Sequence, residues 1–167
     1  MTVSVRFATT SLGDPESLPK NVGTLSPGDT STVIDFYISH DGTAAITNCA
    51  FYVLPYTGIY LGTESAQTDY DTVIGWGDAA TGGFYINQDY AGGFGAGNWD
   101  LIATGNGDSL ANAIALSADA INIGSAIAGQ IDASGEAHIE VKVVIPGTYA
   151  STGRMYLDLL MYFSATS

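Results

Sequence analysis

The sequence predicts a mainly β protein: a single-domain antiparallel β-sandwich, immunoglobulin-like or jelly-roll-like, with one or two short inserted helices. Three observations predict it. Apolar and polar residues alternate with period two in four separate runs, as strands with a buried face do. Glycine (21 residues) and tyrosine (10) are abundant, which suits turns and pleated surfaces better than a helical bundle. The 167 residues, 46% of them hydrophobic, suit one domain with a substantial core, and no linker or low-complexity run divides the chain.

The elements follow in order. In Val33–Ser39, Ile34, Phe36 and Ile38 share one face and Asp35, Tyr37 and Ser39 the other, behind a Pro27-Gly28 turn signal. Asn48–Leu54 is a second strand, stopped by Pro55. Between residues 62 and 107 the pattern changes, and an inserted helix and a glycine/aromatic loop are expected there. Ala66, Tyr70, Val73 and Ile74 fall on a helical stripe, with Ser65 as cap and Gly75 or Gly77 as stop. "GGFYINQDYAGGFGAGNWD" reads as a short strand and a large shaped loop. "DSLANAIALSADA" predicts a second helical turn or two, capped by Asp108 or Ser109. Ala137, Ile139, Val141, Val143 and Ile145 then alternate with His138, Glu140, Lys142 and Val144, the cleanest half-buried strand, ended by Pro146-Gly147. In the last run, 154–163, Leu157, Leu159, Met161 and Phe163 share one side. Leu160 and the tyrosines on the other side predict cover on both faces.

Composition narrows the function. Seventeen acids against four bases give a formal net charge of −13. Four basic residues neutralise few phosphates, which argues against direct nucleic-acid binding and against an anionic membrane surface. Acidity of this strength fits solubility, a basic partner surface or cation binding. One cysteine excludes an intrachain disulfide and multiple-cysteine metal sites. The amino-terminal stretch has no continuous apolar core and no basic leader, so no secretory signal is expected, and no run approaches the roughly 20 apolar residues of a membrane span.

Ser39-His40-Asp41 places three triad residue types side by side. Strand neighbours point to opposite faces, so consecutive residues cannot form a relay, and no Gly-x-Ser-x-Gly elbow presents a serine. Asp41-Gly42 reads instead as a turn between strands, with His40 exposed or backbone-bonded at a strand end. Cys49 alternates with Phe51 and Val53 and reads as a buried structural thiol. His138 reads as a solvated or cross-strand residue. No catalytic residue is expected, and the chain does not read as an enzyme. Asp69, Asp71 and Asp78, and Asn98, Asp100, Asn106 and Asp108 around the second loop, offer the hard oxygens calcium prefers. No segment has the EF-hand spacing, and Asp or Asn beside Gly is also turn chemistry, so no cofactor is expected. Phe84, Tyr85, Tyr90, Phe94 and Trp99, spread among glycines with few aliphatic partners, are the candidate partner-contact residues.

Three stretches, "GTLSPGDTSTVIDFYISHDGTAAITNCAFYVLPYTG", "GDSLANAIAL" and "RMYLDLLMYFSATS", resemble small virion structural proteins of tailed bacteriophages. The likeness is nearest to β-sandwich capsid decoration (cement) proteins, with tail or baseplate accessory proteins next. It spans about two thirds of the chain without a diagnostic motif. The resemblance implies a non-enzymatic homo-oligomer, often a trimer, made in the host cytoplasm without a signal peptide. Its place would be on the virion, bound to the major capsid protein or another virion protein. It carries no functional residues to transfer, and the aromatic-glycine loop is not matched to it. The competing class is a carbohydrate-binding module in which Trp99, Tyr90 and Tyr85 stack on sugar rings.

Overall fold

The alternating runs become strands. A computed structural model describes residues 3–13, 20–59, 65–77, 82–95, 97–151 and 153–165. In chain order the strands are β1 (Val5–Ala8), β2 (Ile34–His40), β3 (Ile46–Pro55), β4 (Gly83–Asn87), β5 (Trp99–Ile102), β6 (Ile114–Ala115), β7 (Ile121–Ile123), β8 (Glu136–Val144) and β9 (Leu157–Ala165). A larger sheet runs β1-β2-β8-β4-β5, with β7 also on β8, and a smaller one runs β6-β3-β9. Every pairing between strands is antiparallel. The architecture is the expected β-sandwich-like one.

Register explains the core. Phe36 lies opposite Ile139, Ile38 opposite Ala137, and Ile86 opposite Val141, so three strands send one apolar row inward. The smaller sheet answers with Cys49, Phe51 and Val53, and all of these meet in one cluster. Burying each large side chain there contributes about 1.5–3 kcal/mol before entropy is counted. Cys49 is an inert member, its thiol pushed up to about 11 by burial.

β3 carries an extra residue. Its register against β9 shifts between Thr47 and Ala50, and Asn48 takes φ +53° to absorb it, a conformation asparagine tolerates better than most side chains. Cys49 thereby points into the core while Asn48 donates from Nδ2 to Ser164 Oγ at 3.2 Å.

The Ser39-His40-Asp41 turn joins the two sheets. β2 ends at His40 in the larger sheet and β3 begins at Ile46 in the smaller. His40 is buried, not exposed. Its Nε2 lies 3.2 Å from the Ile131 carbonyl and 3.0 Å from that of Asp132, while Nδ1 accepts from the Gly42 N–H at 3.1 Å. Two carbonyls at Nε2 and an amide donor at Nδ1 require the neutral ring protonated on Nε2. Asp41 turns away and accepts from Ser4 N at 2.8 Å. The three residues do not converge.

The helix α1 (Ala66–Gly75) forms where its stripe places it. Ser65 Oγ accepts from Thr68 N at 3.1 Å as the cap, and Val73 and Ile74 enter the core. The second helical segment is different: it is two single 3-10 turns, Leu110–Asn112 and Ala118–Ala120, separated by β6. Asp108 does not cap a helix there. It closes the preceding turn, accepting from Gly105 N, Asn112 Nδ2 and Ser109 Oγ, and these donors hold its carboxyl below the usual range. No helix among the described residues is long and apolar enough to cross a membrane.

The candidate binding face

The outer face of the larger sheet is where the unusual side chains gather. Along β8 the outward row is His138, Glu140, Lys142; β2 adds Asp35 and Tyr37, β4 adds Tyr85 and Asn87, and β5 adds Trp99. Antiparallel pairing puts Tyr37 directly opposite His138, and their rings stack at 3.9 Å with 21° between planes. His138 Nε2 reaches diagonally to Asp35 Oδ1 at 2.8 Å. The cross-strand role expected for His138 is present; the solvated one is not, because the residue is 95% buried (5% exposed).

The cover comes from the glycine-rich loop between β4 and β5. Phe94 meets the His138 ring edge-on at 4.7 Å, and Tyr90 lies 5.2 Å from it on a tilt. Tyr90 and Phe94 are themselves 5.9 Å apart. Local bonds shape the loop. Asp89 Oδ1 accepts from Gly92 N, Asp89 Oδ2 accepts from Asn98 Nδ2, and the Asp89 carbonyl accepts from Phe94 N at 2.7 Å. Gly93, at φ +75°, supplies a backbone conformation that side chains avoid. Gln88, buried at the loop entrance, ties it across to Ala115 O and Ser117 N. The cover leaves His138 Nδ1 and Asn87 Nδ2 buried with no partner among the described residues, a desolvation cost that the ring contacts must offset.

A second cluster lies four residues along β8, at Lys142. The Lys142 ammonium sits 3.9 Å above the Trp99 ring and 5.4 Å from that of Tyr85, a cation–π arrangement. Burial lowers the Lys142 pKa and nearby Glu140 raises it in part. Glu140 is pushed up by burial first and by Asp35 second, with Lys142 opposing. Tyr37 is likewise raised, chiefly by burial and then by Asp35.

The five candidate contact residues therefore separate. Phe84 faces inward and is part of the core. Tyr85 is on the outer face but buried. Phe94 and Trp99 are half-buried, and Tyr90 stands out at 41% exposure. Tyr37, His138 and Lys142 belong to the face and were missed, since only the β2–β8–β4 pairing brings them to the loop.

The oxygens considered for calcium are dispersed. Asp69 is buried and accepts from Tyr156 N at 3.2 Å. Asp71 accepts from Gln67, Asn98 donates to Asp89, and Asn106 donates to Leu101 O. Asp78 lies outside the described residues. Among the described residues no three His, Cys, Asp or Glu side chains are grouped to hold a metal. The carboxylate the sequence did not single out is Glu136, almost fully buried, which accepts from Ser11 Oγ, Leu12 N and Asn122 Nδ2 and fastens the segment after β1 to the sheet.

No protein-family model matches the chain, and a comparison with curated proteins finds no match.

Proposed function

We propose that the protein is a non-enzymatic structural protein of a phage virion, a capsid decoration protein that binds the outside of an assembled shell. The single observation that carries the reading is the aromatic face: Tyr90, Phe94 and Trp99 are held by edge-on ring contacts and a cation–π contact on a rigid sheet, with Tyr90 41% exposed. A rigid aromatic surface suits a durable protein contact, since little side-chain freedom is lost on docking. A net charge of −13 opposes approach to packaged DNA and is compatible with the outer surface. The family resemblance points the same way.

The test mixes purified protein with undecorated particles, pellets them and images what remains attached. Binding over the whole shell is expected, persisting at moderate salt because the contact centre is apolar. Tyr90→Ala and Trp99→Ala should each weaken it at least about tenfold, and Ile59→Ala, exposed elsewhere, should not. Protein that stays in the supernatant, or binds only at the tail, contradicts the decoration role; tail binding favours the accessory-protein reading. Tyr90 beside the Asp89–Asn98 pair also resembles a sugar platform, so a glycan array is run alongside. Selective, Tyr90-dependent glycan binding would favour the carbohydrate module.

A further inference from the structure

The outer edge of β9 is the strongest unused feature. β9 is nine residues long and ends the smaller sheet; among the described residues no strand lies beyond it. It contains no proline, glycine or lysine, and Asp158 is its only charge. Edges that stay unpaired are usually shortened, bulged or charged; β9 is full length, and Asp158 near one end is the one such device in it.

The hydrogen bonds of β3 show which β9 groups face outward. Val53 N donates to Gly107 O, Cys49 N donates to Gly129 O, and Cys49 O accepts from Leu116 N. The odd-numbered residues of β3 therefore bond toward β6, and Ala50, Tyr52 and Leu54 bond toward β9, where they face Tyr162, Leu160 and Asp158. What remains for the free edge is the N–H and C=O of Leu157, Leu159, Met161 and Phe163. Their side chains point into the sandwich yet stay half-exposed, whereas Phe51 and Val53 on the next strand are fully buried. The apolar row is unfinished at this edge.

We propose that a second copy of this chain completes it, β9 pairing antiparallel with β9 about a two-fold axis at Met161. An isologous contact requires the edge to complement itself, and this register does so along its whole length. Leu159 meets Phe163 of the second copy on the inner face, Leu160 meets Tyr162 on the outer face, and Asp158 meets Ser164. The bonded pairs are those whose groups face outward, and the two Asp158 charges lie at opposite ends. Registers shifted by two residues leave the strand ends unpaired. The smaller sheets would fuse into one of six strands, by strand addition. The inference does not depend on the virion reading.

The experiment measures the mass of the full chain by light scattering and sedimentation across concentration. A dimer is expected. Leu160→Lys with Tyr162→Lys, which sets like charges opposite each other, should give a cooperatively melting monomer. Met161→Pro is the alternative if that variant fails to fold, because the Met161 N–H makes no bond to β3. Leu160→Cys with Tyr162→Cys should cross-link the dimer under mild oxidation. Leu160→Cys alone should not, since the two copies of residue 160 lie on a diagonal too long for a disulfide. A monomer at every concentration, a trimer, a dimer that survives both edge variants, or cross-linking by Leu160→Cys alone would overturn the proposal.

Discussion

β8 and β9 are each nine residues long, each alternate apolar and polar or aromatic side chains, and end up in opposite situations. β8 reads from sequence as half-buried, with His138, Glu140 and Lys142 on a wet face, yet its first four residues are buried on both faces. β9 reads as covered on both faces, yet no residue in it is fully buried and Tyr162 is 43% exposed. The difference lies in what covers each strand. β8 is central, flanked by β2, β4 and β7, and roofed by Tyr90 and Phe94. β9 is an edge: among the described residues β3 is the one strand paired with it, and α1 touches it. Alternation reports which side chains share a face; it does not report what lies over that face.

The largest effect that can break this contrast is loss of β9 altogether. A chain ending at Gly153 removes the strand that pairs with β3 from Ile46 to Pro55, and no cooperative thermal transition is expected. A truncated protein that melts cooperatively would make β9 a dispensable arm. Point substitutions sharpen it. Ile139→Ala, in the fully buried row of β8, should cost about 2–5 kcal/mol in denaturant unfolding. Phe163→Ala on β9 should cost less, about 1–3 kcal/mol, because its ring is only half covered. Equal costs would contradict the contrast.

Smaller effects follow at the polar positions. His138→Ala should cost about 1–3 kcal/mol, since the stack with Tyr37 and the two loop rings lose their centre. Ile127→Ala, exposed and away from both strands, should stay within about 0.5 kcal/mol, as surface changes do. His40→Ala leaves two carbonyls and the Gly42 N–H without their ring partner and should cost about 1–3 kcal/mol. That is larger than a strand-end surface histidine would give. Glu140→Gln is the gentlest. Burial and Asp35 raise the Glu140 pKa above 4.5 in the fold, so ionisation weakens the native state as pH climbs through that window. The glutamine variant should therefore melt slightly higher than wild type at neutral pH. The gain should vanish below the ordinary carboxyl range, where both side chains are neutral. A gain that persists in acid would assign it to packing.

Much of the fold was legible and less of the site. β2, β3, β8, β9 and α1 follow from periodicity, and Ser65 from cap chemistry. The segment after Asp108 misled because its alanines and leucines suit a helix, while the bonds of Leu116 to Cys49 and Gly129 pull it into strand and single turns, a tertiary override of propensity. The aromatic loop was visible as a surplus of rings among glycines. Which rings face out was not, since Phe84 and Tyr85 are neighbours on a strand and only the register sends Phe84 into the core. For His40 the backbone-bonded alternative holds, but its partners and those of Glu136 were illegible for another reason: at 131–132 and 11–12 they are about ninety and a hundred and twenty-five residues away.

The aromatic face is held in place by the loop's own bonds and by His138, and amide hydrogen exchange of the 88–98 loop tests this most directly. In the wild type the Ala91, Gly93 and Phe94 amides, bonded to Asp119 O, Tyr90 O and Asp89 O, should be protected well beyond an exposed loop. In His138→Ala, still folded, their protection should fall by about tenfold or more while that of β3 amides falls only by the global loss of stability. Free exchange of these amides in the wild type, or loop protection that tracks β3 in the variant, would contradict a face organised by His138.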